Sequence, residues 1–329
     1  MKRFISLVLS LITLMSVMSF GFNAYADTSK FYEQREQYNT QKAYSGFYGS
    51  KLYLFENNEE KLYVKKGLNG KHRLVKSGIC SDGISTMYKS YIYYIGEDGI
   101  IYRCSLSGKK HTALVKNVYI TDFIIANGRI VYRAEDPFGD LGVEGLYTCT
   151  LKGKDTKCIT KNLASDYYSY KTCLYFIDVN SNTLKRYSLK KFTLTDVTLK
   201  KSLQDMKLLG MEGRSMYFLK QYKTVDKFFK VDVKTGVFTK IGVSKDAALL
   251  QKDVAYIVSR DNVYCTKSTK KKVKYCYLNK KAKKFDLIKS VPKGTTSGGA
   301  YMQFYKDKLV DIVYEEGYPT FKFVGIIKL

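Results

Sequence analysis

The side chains able to do chemistry in this 329-residue chain are few and scattered. Histidine is the residue that ligates metals and moves protons near neutral pH, and there are only two, His72 and His111. Each heads a similar short string, His72-Arg73-Leu74-Val75 and His111-Thr112-Ala113-Leu114-Val115, so they read as repeat positions rather than as joint ligands of one metal. The sequence contains no His-Glu-x-x-His, no Gly-x-Ser-x-Gly, no Gly-x-x-x-x-Gly-Lys and no paired Cys-x-x-Cys. The run Asp136-Pro137-Phe138-Gly139-Asp140 brings two carboxylates close together but lacks the spacing of an EF-hand and reads as a solvated loop. No catalytic residue, metal or cofactor is therefore expected.

Seven cysteines, at 80, 104, 149, 158, 173, 265 and 276, remain as candidates for redox chemistry. Cys104, Cys149 and Cys276 fall at matching places in repeated strings, which suits a small apolar residue at a recurring core position. If Gly153-Lys154 is a two-residue hairpin turn, Cys149 and Cys158 face each other at a non-hydrogen-bonded site, where side chains come close enough for a cross-strand disulfide. An oxidising compartment would join them, and a reducing one would leave two thiols. Cys265 and Cys276 make a weaker pair because the turn between them is less clearly marked.

Lysine is the abundant reactive group, and its value depends on where the fold collects it. The chain has 56 Lys+Arg against 30 Asp+Glu, a formal charge of +26. With 45% hydrophobic residues, 30 Tyr and 18 Phe it can build a sizeable core, and 3 Pro among 24 Gly exclude collagen-like and Pro-rich organisation. Short strings rich in Tyr, Ile, Val and Phe recur: Leu52-Tyr53-Leu54-Phe55, Ile92-Tyr93-Tyr94-Ile95, Ile130-Val131-Tyr132, Leu174-Tyr175-Phe176-Ile177, Met216-Tyr217-Phe218-Leu219, Ala255-Tyr256-Ile257-Val258 and Leu309-Val310-Asp311-Ile312. Their starts lie 40, 38, 44, 42, 39 and 54 residues apart. A second string follows each, from Leu62-Tyr63-Val64 to Phe321-Lys322-Phe323-Val324, and six of the seven continue through a polar turn into a third.

Strings of this length and composition, bounded by Gly, Asn, Asp or Lys turns, are short antiparallel strands. Three per repeat, with a fourth in the preceding segment (Val118 to Ala126, for example), describe one four-stranded sheet for each period of about 40 residues. Sheets arranged around an axis bury both faces and leave only short outer edges. The expectation is an all-β, seven-bladed β-propeller; a β-solenoid or a pair of sandwiches fits the period and the repeat number less well.

The run Ile92-Tyr93-Tyr94-Ile95, Glu97-Asp98-Gly99, Ile101-Tyr102-Arg103, Leu106, Gly108 and Leu114-Val115 resembles the repeat of low-density-lipoprotein-receptor-type (YWTD-like) propellers. It is more similar still to a bacterial secreted β-propeller family of unknown function, over roughly Ala43 to Leu329. The Trp of the YWTD form is absent throughout, and its Asp has a counterpart only at Asp178. The resemblance implies extracellular ligand binding and does not imply the Asp-based bonding between blades of the receptor propellers.

Met1-Lys2-Arg3, an apolar stretch from Phe4 to Phe22 and Ala24-Tyr25-Ala26 have the form of a signal peptide spanning 1–26, with an uncleaved anchor as the alternative. Cleavage would leave a charge of +24 and no later transmembrane span. Residues 27–42 form an N-terminal segment, of which Ser29 to Tyr32 could close the ring by pairing with the last blade, or could fray beside a three-stranded blade. The propeller domain occupies 43–329.

In such a ring the turns between second and third strings share one face. The stretches 65–71, 107–111, 152–157, 190–192, 232–236 and 279–284 hold 15 Lys against two Asp, whereas the turns between first and second strings sum to −6. The basic face carries Lys71, Lys109, Lys110, Lys152, Lys154, Lys190, Lys191, Lys280, Lys281, Lys283 and Lys284. It would concentrate polyanions such as anionic wall polymers or acidic glycans, and lysine in place of arginine suits diffuse attraction. Nucleic acid is disfavoured by the extracellular address and by the lack of a stacking motif. The reading is a secreted or wall-associated, noncatalytic binding propeller whose protein or glycan ligand the sequence does not name; the alternative is a lyase on acidic polysaccharide using Lys and Tyr near the central channel.

Overall fold

The computed structural model describes residues 45–326 apart from 49–50, 57–60, 67–70, 78–84, 97, 117, 136–143, 163, 246–255, 260–261, 293–301, 306–307 and 316–317. The signal peptide, the segment 27–42, Cys80 and the run Asp136 to Asp140 lie outside the described residues.

The described chain forms seven antiparallel sheets in sequence order. The first holds β1 (Ser45–Tyr48), β2 (Lys51–Glu56), β3 (Lys61–Lys66) and β4 (His72–Ser77); the second β5 (Ser85–Tyr88), β6 (Tyr91–Ile95), β7 (Ile101–Ser105) and β8 (Thr112–Val115). The third holds β9 (Tyr119–Ala126), β10 (Arg129–Glu135), β11 (Gly145–Thr150) and β12 (Lys157–Thr160); the fourth β13 (Ala164–Tyr170), β14 (Cys173–Asp178), β15 (Thr183–Ser188) and β16 (Thr193–Asp196). The fifth holds β17 (Met206–Glu212), β18 (Ser215–Gln221), β19 (Asp226–Asp232) and β20 (Phe238–Ser244); the sixth β21 (Tyr256–Ser259), β22 (Asn262–Ser268), β23 (Lys272–Asn279) and β24 (Lys284–Pro292). The seventh has three strands among the described residues, β25 (Met302–Tyr305), β26 (Lys308–Glu315) and β27 (Tyr318–Ile326).

First strands of successive sheets meet, as β1 meets β5, β5 meets β9, β13 meets β17 and β17 meets β21. The last sheet touches both neighbours, β27 against β24 and against β2, so the ring is closed. The core lies between sheets. On β9, Phe123 and Ile125 pack with Tyr93, Ile95 and Ile101 of the second sheet, whereas Ile124 packs with Leu174 and Phe176 of the fourth. Side chains alternate across a strand, so a sheet packed on both faces needs apolar residues at consecutive positions, as in β14, where all six residues are buried. That is why the strings read as short unbroken apolar runs.

Two residues link first and second strands in every sheet, between the pairs Tyr48↔Lys51, Tyr88↔Tyr91, Ala126↔Arg129, Tyr170↔Cys173, Glu212↔Ser215, Ser259↔Asn262 and Tyr305↔Lys308. Positive φ at Lys89, Asn127, Gly128, Lys171 and Gly213 marks turns whose twist matches that of the strands. These turns correct one repeat: Tyr256-Ile257-Val258 of the string Ala255 to Val258 belongs to the first strand of the sixth sheet, whose second strand is β22. Counted from the turns, the matching residues are Leu52, Ile92, Ile130, Leu174, Met216, Val263 and Leu309, with spacings of 40, 38, 44, 42, 47 and 46. The turn opposite the lysine-rich set therefore shrinks to 269–271; Lys267 and Lys272 leave it for β22 and β23, making that end more acidic than the sequence count.

The proposed Cys149 to Cys158 pairing is also corrected. The loop after β11 is longer than two residues, with Gly153 N–H donating to Thr150 O and Thr150 N–H to Lys154 O. The register shifts by two, so Cys158 lies opposite Tyr147. Cys149 is buried, Cys158 is exposed, and both are free thiols. Desolvation pushes the Cys104 thiol up to about 11 and the Cys149 thiol up to about 12, which suits an inert core role. The cysteines opposite each other in register are Cys265 and Cys276.

Adjacent sheets are also pinned by glycines in the turns between third and fourth strands. At Gly153, φ is +73° and an added Cβ would sit 1.9 Å from the carbonyl oxygen of Leu114 in the preceding sheet. Gly236 makes the equivalent approach to Thr198 O. Gly153→Ala is expected to destabilise the protein by about 2 kcal/mol or more, from left-handed strain and the displaced contact together. An unchanged midpoint in thermal denaturation would refute this packing role.

Candidate functional site

Each turn between third and fourth strands lies at the same end of its sheet as the two-residue turn between first and second strands. All eleven lysines of the predicted basic face, Lys71, Lys109, Lys110, Lys152, Lys154, Lys190, Lys191, Lys280, Lys281, Lys283 and Lys284, are exposed in or beside these turns. The shorter turns add Lys89, Lys171 and Arg214, also exposed, at that end of the ring.

Acids at this end are engaged. Asp155 accepts from Arg129 at 3.0 Å and lies 3.3 Å from Lys157, which together hold its carboxyl below the usual range. Asp232 pairs with Arg214 at 2.7 Å and accepts the backbone N–H groups of Lys234 and Thr235. Lys284 lies 3.7 Å from Asp286. Such exposed pairs add little stability, but they leave a predominantly cationic rim.

The two histidines belong to different sheets, His72 on β4 and His111 immediately before β8. His111 stacks on Tyr102 with ring centroids 4.9 Å apart and hydrogen-bonds the Tyr94 hydroxyl. Burial and nearby Lys76 lower its pKa, favouring neutral imidazole. His72 pairs with Lys65 across β3 and β4. Among the described residues no group of three His, Cys, Asp or Glu side chains could hold a metal. Asp178, the counterpart of the YWTD acid, accepts from Ser181 and from Asn162 Nδ2 at 3.0 Å. It therefore ties its turn to the connection arriving from the third sheet.

A second charged group, absent from the sequence reading, lies on the first strands. Asp122 faces Arg133 across β9 and β10. Asp166 lies four residues before the end of β13, as Asp122 does on β9, and Lys207 takes the corresponding place on β17 next to a register shift. Three consecutive first strands thus carry an acid, an acid and a cation at one level of the ring. The Arg133 guanidinium lies 5.8 Å from the centroid of the Tyr167 ring.

Desolvation, assisted by the neighbouring Asp166 charge, raises the Asp122 carboxyl to about 6 despite opposition from Arg133 and a hydrogen bond from Tyr167. Asp166 is raised for the same first reason, against Arg133 and Lys207. Asp122 can therefore hold or release a proton near pH 6, with Asp166 raised beside it. The signal was present in the sequence: Asp122 and Asp166 are 44 residues apart, the spacing of Ile130 and Leu174. It belongs to the first strands, β9 and β13, whereas the apolar strings of Ile130 and Leu174 lie on second strands.

The raised pKa has a testable sign. Folded Asp122 binds its proton more tightly than the unfolded chain does, so its stability contribution is complete near pH 4 and declines as pH rises to about 6. The loss is about 2 kcal/mol for a shift of this size at a partly accessible group. Asp122→Asn should flatten that part of the stability profile and raise the midpoint at pH 7 by several degrees. Parallel wild-type and variant profiles would refute it.

A closed ring of radially stacked antiparallel sheets, cationic at one end and with charged first strands around its axis, is a β-propeller. No protein-family model and no curated protein matches the sequence. Solved structures resemble it in fold: an oligogalacturonate lyase in complex with manganese superposes with a TM-score of 0.58 at 9% identity, covering 89% of this chain and 90% of that one. The computationally designed Ika8 protein gives 0.51 at 13% identity, covering 85% and 84%. YCF48 bound to a D1 peptide gives 0.49 at 9% identity, covering 83% and 90%. At these identities the likeness is one of fold.

Proposed function

We propose that the protein is a secreted or wall-associated binding propeller, noncatalytic, that holds anionic envelope polymers or acidic glycans against its lysine-rich end. The observation that carries this reading is the gathering of eleven exposed lysines onto one end of the ring, with the acids there already engaged. Lysine ammonium groups on exposed turns attract a flexible polyanion without demanding a fixed geometry. Export by the N-terminal segment would bring that end into contact with wall polymers.

The test is capture of purified mature protein on immobilised wall polymer. Replacing Lys280, Lys281, Lys283 and Lys284 with Gln should weaken capture strongly; unchanged capture would overturn the reading.

The charged group on the first strands favours a second reading, an enzyme on acidic polysaccharide. Arg133 would neutralise a uronate carboxylate while Lys207 or a nearby tyrosine took the adjacent proton; the released electron pair would form the double bond and expel the glycosidic oxygen of the next carbon, which would leave as an alcohol by taking a proton back from that acid. Release of unsaturated products from acidic glycans by wild-type protein, lost in Lys207→Met, would establish this reading in place of the first.

A further inference from the structure

Between the fourth and fifth sheets, on the lysine-rich end, lies a cleft of about 750 Å³. That volume is in the range of sites that enclose a small molecule or a few linked rings. One wall is a row in register across three strands, Tyr175 on β14, Arg186 on β15 and Thr195 on β16. The facing wall comes from the turns of the fifth sheet, with Arg214 and Lys234, and from Lys200 in the connection that bonds to Gly236 O. Lys171 stands beside its mouth in the turn of the fourth sheet.

The charge of this lining is one-sided. Lys171, Arg186, Lys200 and Lys234 line it, together with Arg214, which Asp232 holds at 2.7 Å, and one acid, Asp196. That acid is held by Lys185 at 2.7 Å. Arg186 is itself fixed: its Nε donates to Cys173 Sγ at 3.2 Å, and Thr195 bonds its carbonyl oxygen. A guanidinium anchored at Nε and hydrogen-bonded to Tyr175 keeps its remaining terminal N–H donors for carboxylate or phosphate. Threonine hydroxyls and the Tyr170 and Tyr175 rings provide the mixture of hydrogen bonds and flat apolar surface that sugar rings use.

We propose that this cleft binds a short segment of a hydroxyl-rich anionic polymer, whose repeating units carry carboxylate or phosphate groups, and so fixes in register a polymer that the rim holds loosely. The inference rests on the polyanion reading of the rim and deepens it. The rim would contribute salt-sensitive attraction, and the cleft would contribute selectivity for the repeating unit.

Calorimetric titration of the mature protein with a short oligomannuronate, a short glycerol-phosphate oligomer and neutral oligomannose tests the inference. One of the two anionic oligomers should bind with one site per chain and the neutral one should not; which of them binds tells a uronate from a phosphodiester ligand. Lys171→Gln, Lys200→Gln and Lys234→Gln combined should weaken that binding at least about tenfold, with Arg186→Gln as a separate probe of the guanidinium. The four rim substitutions at Lys280, Lys281, Lys283 and Lys284 should leave it within about threefold. A melting curve confirms that each variant is folded.

Absence of saturable oligomer binding, or equal weakening by cleft and rim variants, would overturn the cleft. If oligomers fail while rim-dependent polymer capture persists, the cleft falls and the rim reading stands. If oligomers bind and polymer capture ignores the rim lysines, the cleft stands without the rim.

Discussion

Deletion of Phe321 to Leu329 is expected to abolish cooperative unfolding, or to lower the thermal midpoint by on the order of 10 °C or more. Most of β27 would go with it, and β27 pairs with β26 from Glu315↔Tyr318 to Lys308↔Ile326. Its contacts with β2 and β24 make it the piece that joins the last sheet to the first. Without it β26 would expose a row of unpaired backbone groups, and the first sheet would lose its neighbour on one side. A ring differs from an open stack in this respect, because opening one joint uncovers two apolar faces. Circular dichroism through a thermal ramp checks the expectation. A sharp transition at the wild-type midpoint would show that ring closure does not depend on this strand.

The architecture was legible because the apolar runs are short, evenly spaced and separated by turn residues, and because sheets buried on both faces write consecutive hydrophobic letters. Ile92-Tyr93-Tyr94-Ile95 and Leu174-Tyr175-Phe176-Ile177 are buried throughout. The sixth repeat was misread because Tyr256-Ile257-Val258 on a first strand carries the same apolar signature as Val263-Tyr264-Cys265 on a second. Composition cannot tell these strands apart, but the two-residue turn before Asn262 can. The disulfide expectation failed for a similar reason. Gly153 is a turn glycine, but its positive φ serves contact with Leu114 in a longer loop, and two additional loop residues move Cys158 from Cys149 to Tyr147.

The lysine rim was legible because it depends on topology and on turns whose side chains face water. The interior charges were not. Asp122, Arg133, Asp166 and Lys207 are scattered among apolar neighbours in the sequence, and only the ring brings three first strands to one level. The cleft cations were hidden likewise, since Arg186 sits mid-strand and Lys200 in a connection, with nothing local to single them out.

The two ends of the ring make the function testable by salt. If a polyanion lies along the rim, each lysine it neutralises releases a condensed counterion, and the logarithm of affinity falls linearly with the logarithm of salt concentration. With six or more of the rim lysines engaged, affinity should fall on the order of 10³-fold between about 50 and about 200 mM salt for a densely charged polymer. Replacing Lys280, Lys281, Lys283 and Lys284 with Gln should make the slope shallower as well as weaken binding, because fewer counterions are released. The informative control removes the same charge from the other end. Lys116, Lys223, Lys270 and Lys271 are exposed in connections and turns opposite the rim, and their replacement with Gln lowers net charge equally. If charge acts by location, this control should keep the wild-type slope. Equal loss of slope in both variants would mean that the protein attracts polyanions by net charge alone, whereas salt-independent binding would place the determining contacts away from the rim lysines.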